Sequence, residues 1–345
     1  MLNQFRTHSD ATSPRVTAVY PTAAMPDGVV DVRGEHLGSA LRPTATIGDT
    51  SAQVLFTSPQ RVTLRVPEGS VSGDVVLHSG ERASNGLHLN VAVPLAENLH
   101  PIANPAVDGN GDVYATFSGS RGQEVPVSIF RIDREFQMRP FVRGLPNASG
   151  LAFGPDGYLY CSSRAEGTVY RIAKDGTRTQ FAEGLGIATG IAFDDDGNLY
   201  VGDRSGTIFK LNTQGSMFVF ATLEPSVSAY HLAFTDLGTL LVTGPTTSSN
   251  EAIHAISPEG GVSTWYRGLG RPQGMAVDTE GNVYVAASLH GERGIIRITP
   301  QREASVAVSG SGLVGLAFTE DGVAALATTG ALYSVELGVE GRLAR

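Results

Sequence analysis

The sequence predicts an all-β protein in which a β-sandwich of about 80 residues precedes a six-bladed β-propeller of four-stranded blades. Two observations lead to this prediction: short alternating runs in the first hundred residues, and a repeat of about 40 residues in the remainder. The chain has 345 residues, enough for two domains that each bury a core. Its 42 glycines show no collagen-like period and suit the turns and bulges of β structure.

The first hundred residues contain strand signals separated by turn signals. Residues 29–33, 62–66 and 74–78 alternate apolar and polar side chains, which is the pattern of a strand with one buried face. Residues 44–49 form a further strand signal that runs into a turn. Strands at intervals of about 8–12 residues favour a sandwich.

Several of these segments resemble a known family. The Tyr-Pro pair at 20–21 and residues 28–38, 46–52 and 73–77 resemble the IPT/TIG domain, which has an immunoglobulin-like fold. The resemblance implies a domain over residues 14–92 that serves as a spacer or docking module, since domains of this family rarely carry chemistry. Residues 1–13 are then expected to form a disordered N-terminus.

The rest of the chain repeats a head of the form Gly-x-Ala-Phe. Five heads begin at residues 150, 190, 231, 274 and 315, at spacings of 40, 41, 43 and 41, and a sixth begins at Asn104. Each head leads to a turn, a second strand, a polar loop, a third strand, another turn and a fourth strand. Four strands in each period are typical of a propeller blade. Four heads carry a phenylalanine at the equivalent position, and we expect each of these rings to be buried between neighbouring blades: Phe153, Phe193, Phe234 and Phe318.

The last repeat stops after its third strand, at residues 331–337. Residues 93–99 resemble the fourth strand of another repeat, at 180–185. We therefore expect residues 90–96 to pair with residues 332–337 and to complete the last blade, which leaves no open sheet edge there. The predicted propeller spans residues 93–338, and residues 339–345 form a C-terminal tail. A closed ring of this kind is expected to be a monomer.

The heads and the strands that follow them resemble NHL repeats and the wider group of gluconolactonase-like proteins and streptogramin lyases, over about 245 residues. Gluconolactonase-like hydrolases hold a divalent metal in the channel with a Glu, an Asn and an Asp. In those hydrolases the Asn and the Asp lie immediately before heads of the repeat. The residues at the corresponding positions here are Ser149, Thr189 and Gln273, and none is a carboxylate. Streptogramin lyases use His and Glu residues. The only counterparts that this sequence offers are His231 and His290.

Strand order predicts which loops share a face. The residues before each head and the loops between second and third strands should meet at one end of the channel, called here the first face. Polar groups that converge on a concave mouth favour a binding site. The alternative is that they are ordinary exposed loop residues. The candidate ligand-binding residues are Ser149, Arg164, Thr189, Asp203, Arg204, Tyr230, His231, Gln273 and His290.

His231 is the best candidate for a catalytic residue. It stands where four other heads carry Gly, and an imidazole can act as an acid or a base near neutral pH. The alternative is a packed, hydrogen-bonded histidine. The acidic segment 194–198 lacks the twelfth-position Glu of a calcium loop, and its repeat partners predict a hairpin turn instead.

Composition excludes several classes of function. A net charge of −9 argues against nucleic acid and anionic membranes as partners. With Cys161 as the single cysteine, the chain can form no intrachain disulfide, and a thiolate zinc site is disfavoured. The N-terminus lacks the apolar run of a signal peptide, and no stretch is long enough to insert in a membrane. As written, the chain predicts a cytoplasmic protein, or an exported one if a leader is missing.

The sequence thus favours a non-enzymatic binding propeller that recognises a small molecule or a protein at the channel mouth, without a cofactor. The alternative is a gluconolactonase-like lactone hydrolase or a streptogramin-lyase-like enzyme that uses the same channel. The hydrolase alternative would require a divalent metal.

Overall fold

The computed structural model describes residues 13–38, 42–119, 125–248 and 250–342, so the predicted disordered segment lies almost entirely outside the described residues. All regular secondary structure in these ranges is β, which confirms the predicted fold class. No helix in the described ranges could cross a membrane. The chain divides into two compact units: Met1–Ala92 with Val308–Ser311, and Val93–Ala307 with Gly312–Arg345.

The first unit is the predicted immunoglobulin-like sandwich. One sheet has the order β1-β3-β6-β5, and the other has β5-β4-β7-β9, with β8 on β7 and β2 on β9; β5 therefore takes part in both sheets. Its strands are β1 (Arg15–Tyr20), β2 (Ala23–Ala24), β3 (Val29–Glu35), β4 (Thr44–Ile47), β5 (Thr50–Thr57), β6 (Arg61–Arg65), β7 (Gly73–Ser79), β8 (Arg82–Ala83) and β9 (Leu87–Val91).

The core of this unit follows from the alternation seen in the sequence. In β3, Val30 and Val32 are fully buried while Arg33 is exposed. Leu64 of β6 and Leu77 of β7 are buried in the same cluster. Because successive side chains of a strand point to opposite sides, one apolar face per sheet is enough to form this core.

The second unit consists of four-stranded antiparallel sheets in a propeller-like arrangement. In three of them every strand pairs with the next strand of the chain. Their strands are β11 (Ala106–Val107), β12 (Val113–Thr116), β13 (Ile129–Ile132), β14 (Met138–Val142), β15 (Ala148–Phe153), β16 (Leu159–Ser163), β17 (Thr168–Ile172), β18 (Arg178–Ala182), β19 (Ala188–Phe193), β20 (Leu199–Asp203), β21 (Thr207–Leu211) and β22 (Met217–Thr222).

The next two groups are joined, because β26 pairs with β28 as well as with β25. The sheets here are therefore not separate, and the number of six blades stays a prediction. The strands are β23 (His231–Phe234), β24 (Leu240–Thr243), β25 (Glu251–Ile256), β26 (Val262–Gly270), β27 (Met275–Val277), β28 (Val283–Leu289), β29 (Glu292–Ile298) and β30 (Ala304–Ser309).

The last sheet contains the predicted closing strand. Its order is β10-β33-β32-β31, formed by β10 (Val93–Glu97), β31 (Leu313–Phe318), β32 (Val323–Thr328) and β33 (Ala331–Glu336). Val93 pairs with Ser334, and Ala96 pairs with Leu332. The pairing of this early segment with the last repeat, predicted from the missing fourth strand, is confirmed.

An aromatic contact recurs between neighbouring sheets. Each of four head phenylalanines packs edge-on against the tyrosine of the preceding second strand. The pairs are Phe153–Tyr114, Phe193–Tyr160, Phe234–Tyr200 and Phe318–Tyr284, with ring centroids 5.3, 4.8, 5.0 and 5.0 Å apart. The predicted packing between blades is confirmed. The expectation that all four rings are buried is wrong for the first three, which are half-buried. All four rings line a cavity, but Phe318 is buried, with Gly341 packed against it.

Candidate functional site

At the first face, the head strands approach one another very closely. A Cβ atom on Gly150 would overlap the carbonyl oxygen of Thr189, and one on Gly190 would overlap that of Tyr230. Only glycine permits this approach, which explains why the heads begin with it. The same crowding buries four of the residues that were expected to ring an open mouth: Ser149, Thr189, Tyr230 and His231.

Three of the candidate residues are held inside this packed layer. Ser149 is 0% exposed, and its Oγ has no hydrogen-bond partner among the described residues. Thr189 Oγ1 donates to Gly202 O at 2.9 Å and accepts from Tyr230 N at 3.0 Å. The Tyr230 hydroxyl donates to Glu224 O, and burial, followed by the charges of Glu224 and Asp203, raises the pKa of Tyr230 to about 12. These groups stabilise the ring of strands.

His231 is packed rather than exposed at the mouth. It is 2% exposed, and its Nε2 has no partner among the described residues. Burial lowers the pKa of His231 to about 4, so the ring is neutral at physiological pH. Its burial supports the alternative that His231 is a packed histidine. The hydrogen bond expected in that alternative is not found at Nε2 among the described residues.

This burial predicts an acid-sensitive contribution to stability. The unfolded chain protonates His231 near pH 6.5, whereas the folded chain does so only near pH 4, so protonation favours unfolding. The contribution is complete above about pH 6.5 and decreases by about 2–3 kcal/mol as the pH falls to about 4.5. In urea unfolding at pH 7 and 4.5, a His231→Gln variant should lose less stability than the parent by this amount. The exposed His290→Gln should behave like the parent, and an equal loss in all three would contradict the prediction.

The other candidates occupy separate positions. Asp203 is buried, and its carboxylate accepts hydrogen bonds from Ile187 N at 2.7 Å and from the Ser205 hydroxyl. The Gln273 side chain donates to Leu313 O at 3.4 Å. His290 is exposed in the turn between β28 and β29. Of the nine candidates, Thr189 and Tyr230 are therefore joined by a hydrogen bond, whereas no hydrogen bond or ion pair in the described part of the chain joins Gln273 or His290 to the others.

Arg164 and Arg204 are the remaining two candidates. They are half-buried and follow β16 and β20 directly, in neighbouring sheets of the second unit. Burial, followed by the charge of Arg204, lowers the pKa of Arg164. Both cations thus follow the second strands of neighbouring repeats on the first face.

A cavity of about 650 Å³ lies toward the opposite end of the head strands. Its wall includes the partly exposed alanine of the heads, which recurs as Ala152, Ala192, Ala233, Ala276 and Ala317. None of the nine candidate residues lines it. Its volume is in the range of small-molecule sites.

Acidic turn residues at this cavity already accept hydrogen bonds from backbone N–H groups of their own turns. Asp194 accepts from the backbone N–H groups of Asp196 at 3.1 Å and Asn198 at 2.8 Å. Asp108 accepts from Asn110 N at 2.9 Å in the equivalent turn. The predicted hairpin turn at residues 194–198 is confirmed, since Asp194 closes the connection between β19 and β20.

The C-terminal tail reaches the rim of the cavity. Arg342 N donates to Val277 O at 3.0 Å, and the Arg342 guanidinium forms ion pairs of 3.0 Å with Asp195 and 3.1 Å with Asp236. Gly341 packs against the ring of Phe318. Sequence reasoning missed this role, because Arg342 and Asp195 are 147 residues apart and no local pattern connects them.

The residues present do not fit the metal site of gluconolactonase-like hydrolases. Ser149, Thr189 and Gln273 are neutral, and Thr189 and Gln273 donate their side-chain hydrogens to backbone carbonyls. A hard divalent cation prefers several charged oxygens. Within the described ranges, no three or more His, Cys, Asp or Glu side chains are grouped to hold a metal ion.

Comparison with known families identifies the first unit. The family described as IPT/TIG domain matches residues 14–90. Residues 14–90 form an IPT/TIG domain. Downstream of it, the family described as strictosidine synthase-like, N-terminal, matches residues 190–211 only. A comparison with proteins of curated function found no match.

Solved structures share the fold at low identity. A candidate gluconolactonase is 17% identical, covers 73% of this chain and 93% of its own, and has a TM-score of 0.60. An auxiliary nutrient binding protein from Bacteroides ovatus is 12% identical over 94% and 98% of the two chains, with a TM-score of 0.54. A catalytically inactive virginiamycin B lyase from Staphylococcus aureus with quinupristin is 13% identical over 96% and 97%, with a TM-score of 0.51. These likenesses show that the part beyond the IPT/TIG domain has the fold of this propeller group.

Proposed function

We propose that the protein is a non-enzymatic binding propeller, which takes a small molecule into the central cavity, and that its IPT/TIG domain is a spacer or docking module. The observation that carries this proposal is the cavity of about 650 Å³. Apolar head residues such as Ala276 offer contact area, and the charged rim at Lys174 and Arg342 offers orientation. A concave, mixed surface of this size matches a small ligand better than a protein.

Filling the cavity should weaken binding. Ala276 is partly exposed at the cavity wall, so a phenylalanine there would occupy space that a ligand needs. We expect small molecules that raise the melting temperature of the parent to bind the Ala276→Phe variant at least tenfold more weakly. This corresponds to a loss of about 1.4 kcal/mol of binding free energy. Calorimetric titration of such molecules, drawn from a library of sugars, lactones and peptides, measures this difference.

A matched control is Ala255→Phe. Ala255 is also partly exposed, but it does not line the cavity. It should leave binding unchanged if the variant remains folded by circular dichroism. Molecules that bind both variants as tightly as the parent would place the site elsewhere, and a library without any ligand would contradict the proposal.

The second candidate is a lactone hydrolase or a streptogramin-lyase-like enzyme. It rests on the fold shared with the candidate gluconolactonase and with the lyase. The hydrolase requires a tightly bound divalent ion, so protein purified without chelator and analysed for metals distinguishes it. Stoichiometric metal together with turnover of a lactone would favour the enzyme over the binding propeller.

A further inference from the structure

Arg164 and Arg204 occupy the same position in two successive repeats. Arg164 N donates to Asn147 O at 3.3 Å, and Arg204 N donates to Ile187 O, also at 3.3 Å. The two side chains therefore leave the backbone at equivalent points on the first face. Since the repeats are neighbours around the ring, the two arginines occupy adjacent positions on this face.

The hydrogen-bond partners of both groups are neutral. Arg164 Nη2 donates to Ser118 Oγ at 3.2 Å and to Gly119 O at 3.0 Å. Arg204 Nη2 donates to Val227 O at 3.0 Å, while its Nε is buried without a partner among the described residues. A guanidinium carries five N–H donors, so these contacts leave donors available on each group.

Other arginines of this unit show the usual alternative. Arg131 pairs with Asp112, and Arg171 pairs with Asp156 at 2.9 Å. No ion pair in the described ranges includes Arg164 or Arg204, and the nearby Asp203 directs its carboxylate to its own loop. Two half-buried like charges that have no ion-pair partner within residues 13–38, 42–119, 125–248 and 250–342 are unfavourable by both desolvation and repulsion. The arrangement is explained if a negatively charged group from outside the chain completes it.

We propose that Arg164 and Arg204 form an anion site on the first face, which binds the carboxylate or phosphate group of a small ligand. The planar guanidinium matches both groups through paired, charge-assisted hydrogen bonds. The net charge of −9 disfavours a long polyanion such as RNA, which would meet the negative charge of the remaining surface. This site does not depend on the cavity at the other end of the head strands.

The test is a titration of the full-length protein with sodium phosphate and, separately, with sodium citrate, at an ionic strength kept constant with sodium chloride. We expect at least one of these anions to raise the melting temperature beyond the effect of chloride. Arg164→Gln and Arg204→Gln should each weaken its calorimetric affinity at least tenfold. Arg293→Gln, at an exposed arginine near the start of β29 in another repeat, is the matched control and should retain the parent affinity. A response to citrate alone identifies a carboxylate site, and a response to phosphate alone identifies a phosphate site.

The same variants separate a ligand site from a structural one. Removing one of two repelling charges should leave the melting temperature of the anion-free protein unchanged or raised, whereas loss of a structural arginine should lower it. If Arg204→Gln does not fold, Arg204→Lys keeps the charge without the planar fork and should still weaken binding. Equal stabilisation of the parent by phosphate, citrate and chloride would overturn the proposal. Unchanged affinity in both glutamine variants would also overturn it.

Discussion

A chain that begins at Val93 should be more stable to urea than one that begins at Asn98, by roughly 4 kcal/mol. The difference between them is β10, the fourth strand of the last sheet. In that strand Ala96 is buried and Leu95 packs against the cluster that contains Leu332. Burying a leucine side chain contributes roughly 1.5–3 kcal/mol and burying an alanine methyl group roughly 0.8 kcal/mol, and the loss of β10 would also leave β33 as an unpaired edge.

Comparing these two chains isolates the closing strand. Both lack residues 1–92, so any effect of removing the first unit is common to them. In the full-length protein, Ala96→Asp provides an independent check, because it places an unpaired carboxylate in the same cluster and should cost at least about 2 kcal/mol. If the two truncated chains unfold at the same urea concentration, β10 does not hold the ring closed.

The fold could be predicted because the chain repeats itself. Residues at one position of a repeat face the same surroundings, so the shared heads predicted both the strands and the contacts of Phe153, Phe193, Phe234 and Phe318. The closing strand could be predicted for the same reason, since residues 93–99 resemble a fourth strand and the last repeat lacks one. Each of these predictions needed only a comparison of the chain with itself.

The surroundings of the candidate site were harder to predict, because they depend on distances across the ring. Whether a residue beside Gly190 lines an open mouth or a packed layer depends on how closely the head strands converge, and the sequence does not encode that distance locally. His231 illustrates this: its position in the repeat was predicted, but its burial follows from contacts with neighbouring strands. The cavity was missed because its wall is made of small head residues such as Ala276, which give no chemical signal.

Replacing Phe318 with alanine should destabilise the protein by about 3–5 kcal/mol, the usual range for a large core aromatic. Phe318 is 4% exposed, and its ring lies 5.0 Å from that of Tyr284. The substitution removes this edge-on contact and leaves a void beneath Gly341, which the close-packed strands cannot readily collapse to fill. Phe153→Ala should cost less, because that ring is already half-exposed to the cavity.

The control for this prediction is Phe218→Ala in β22. Phe218 is 52% exposed, so its loss should change the free energy of unfolding by less than about 1 kcal/mol. Urea unfolding of the three variants and the parent, followed by tryptophan fluorescence and circular dichroism, gives the order Phe318, Phe153, Phe218 from largest to smallest loss. If Phe318→Ala and Phe153→Ala each cost less than about 1 kcal/mol, the head rings do not join neighbouring sheets, and the register assigned to the repeats is wrong.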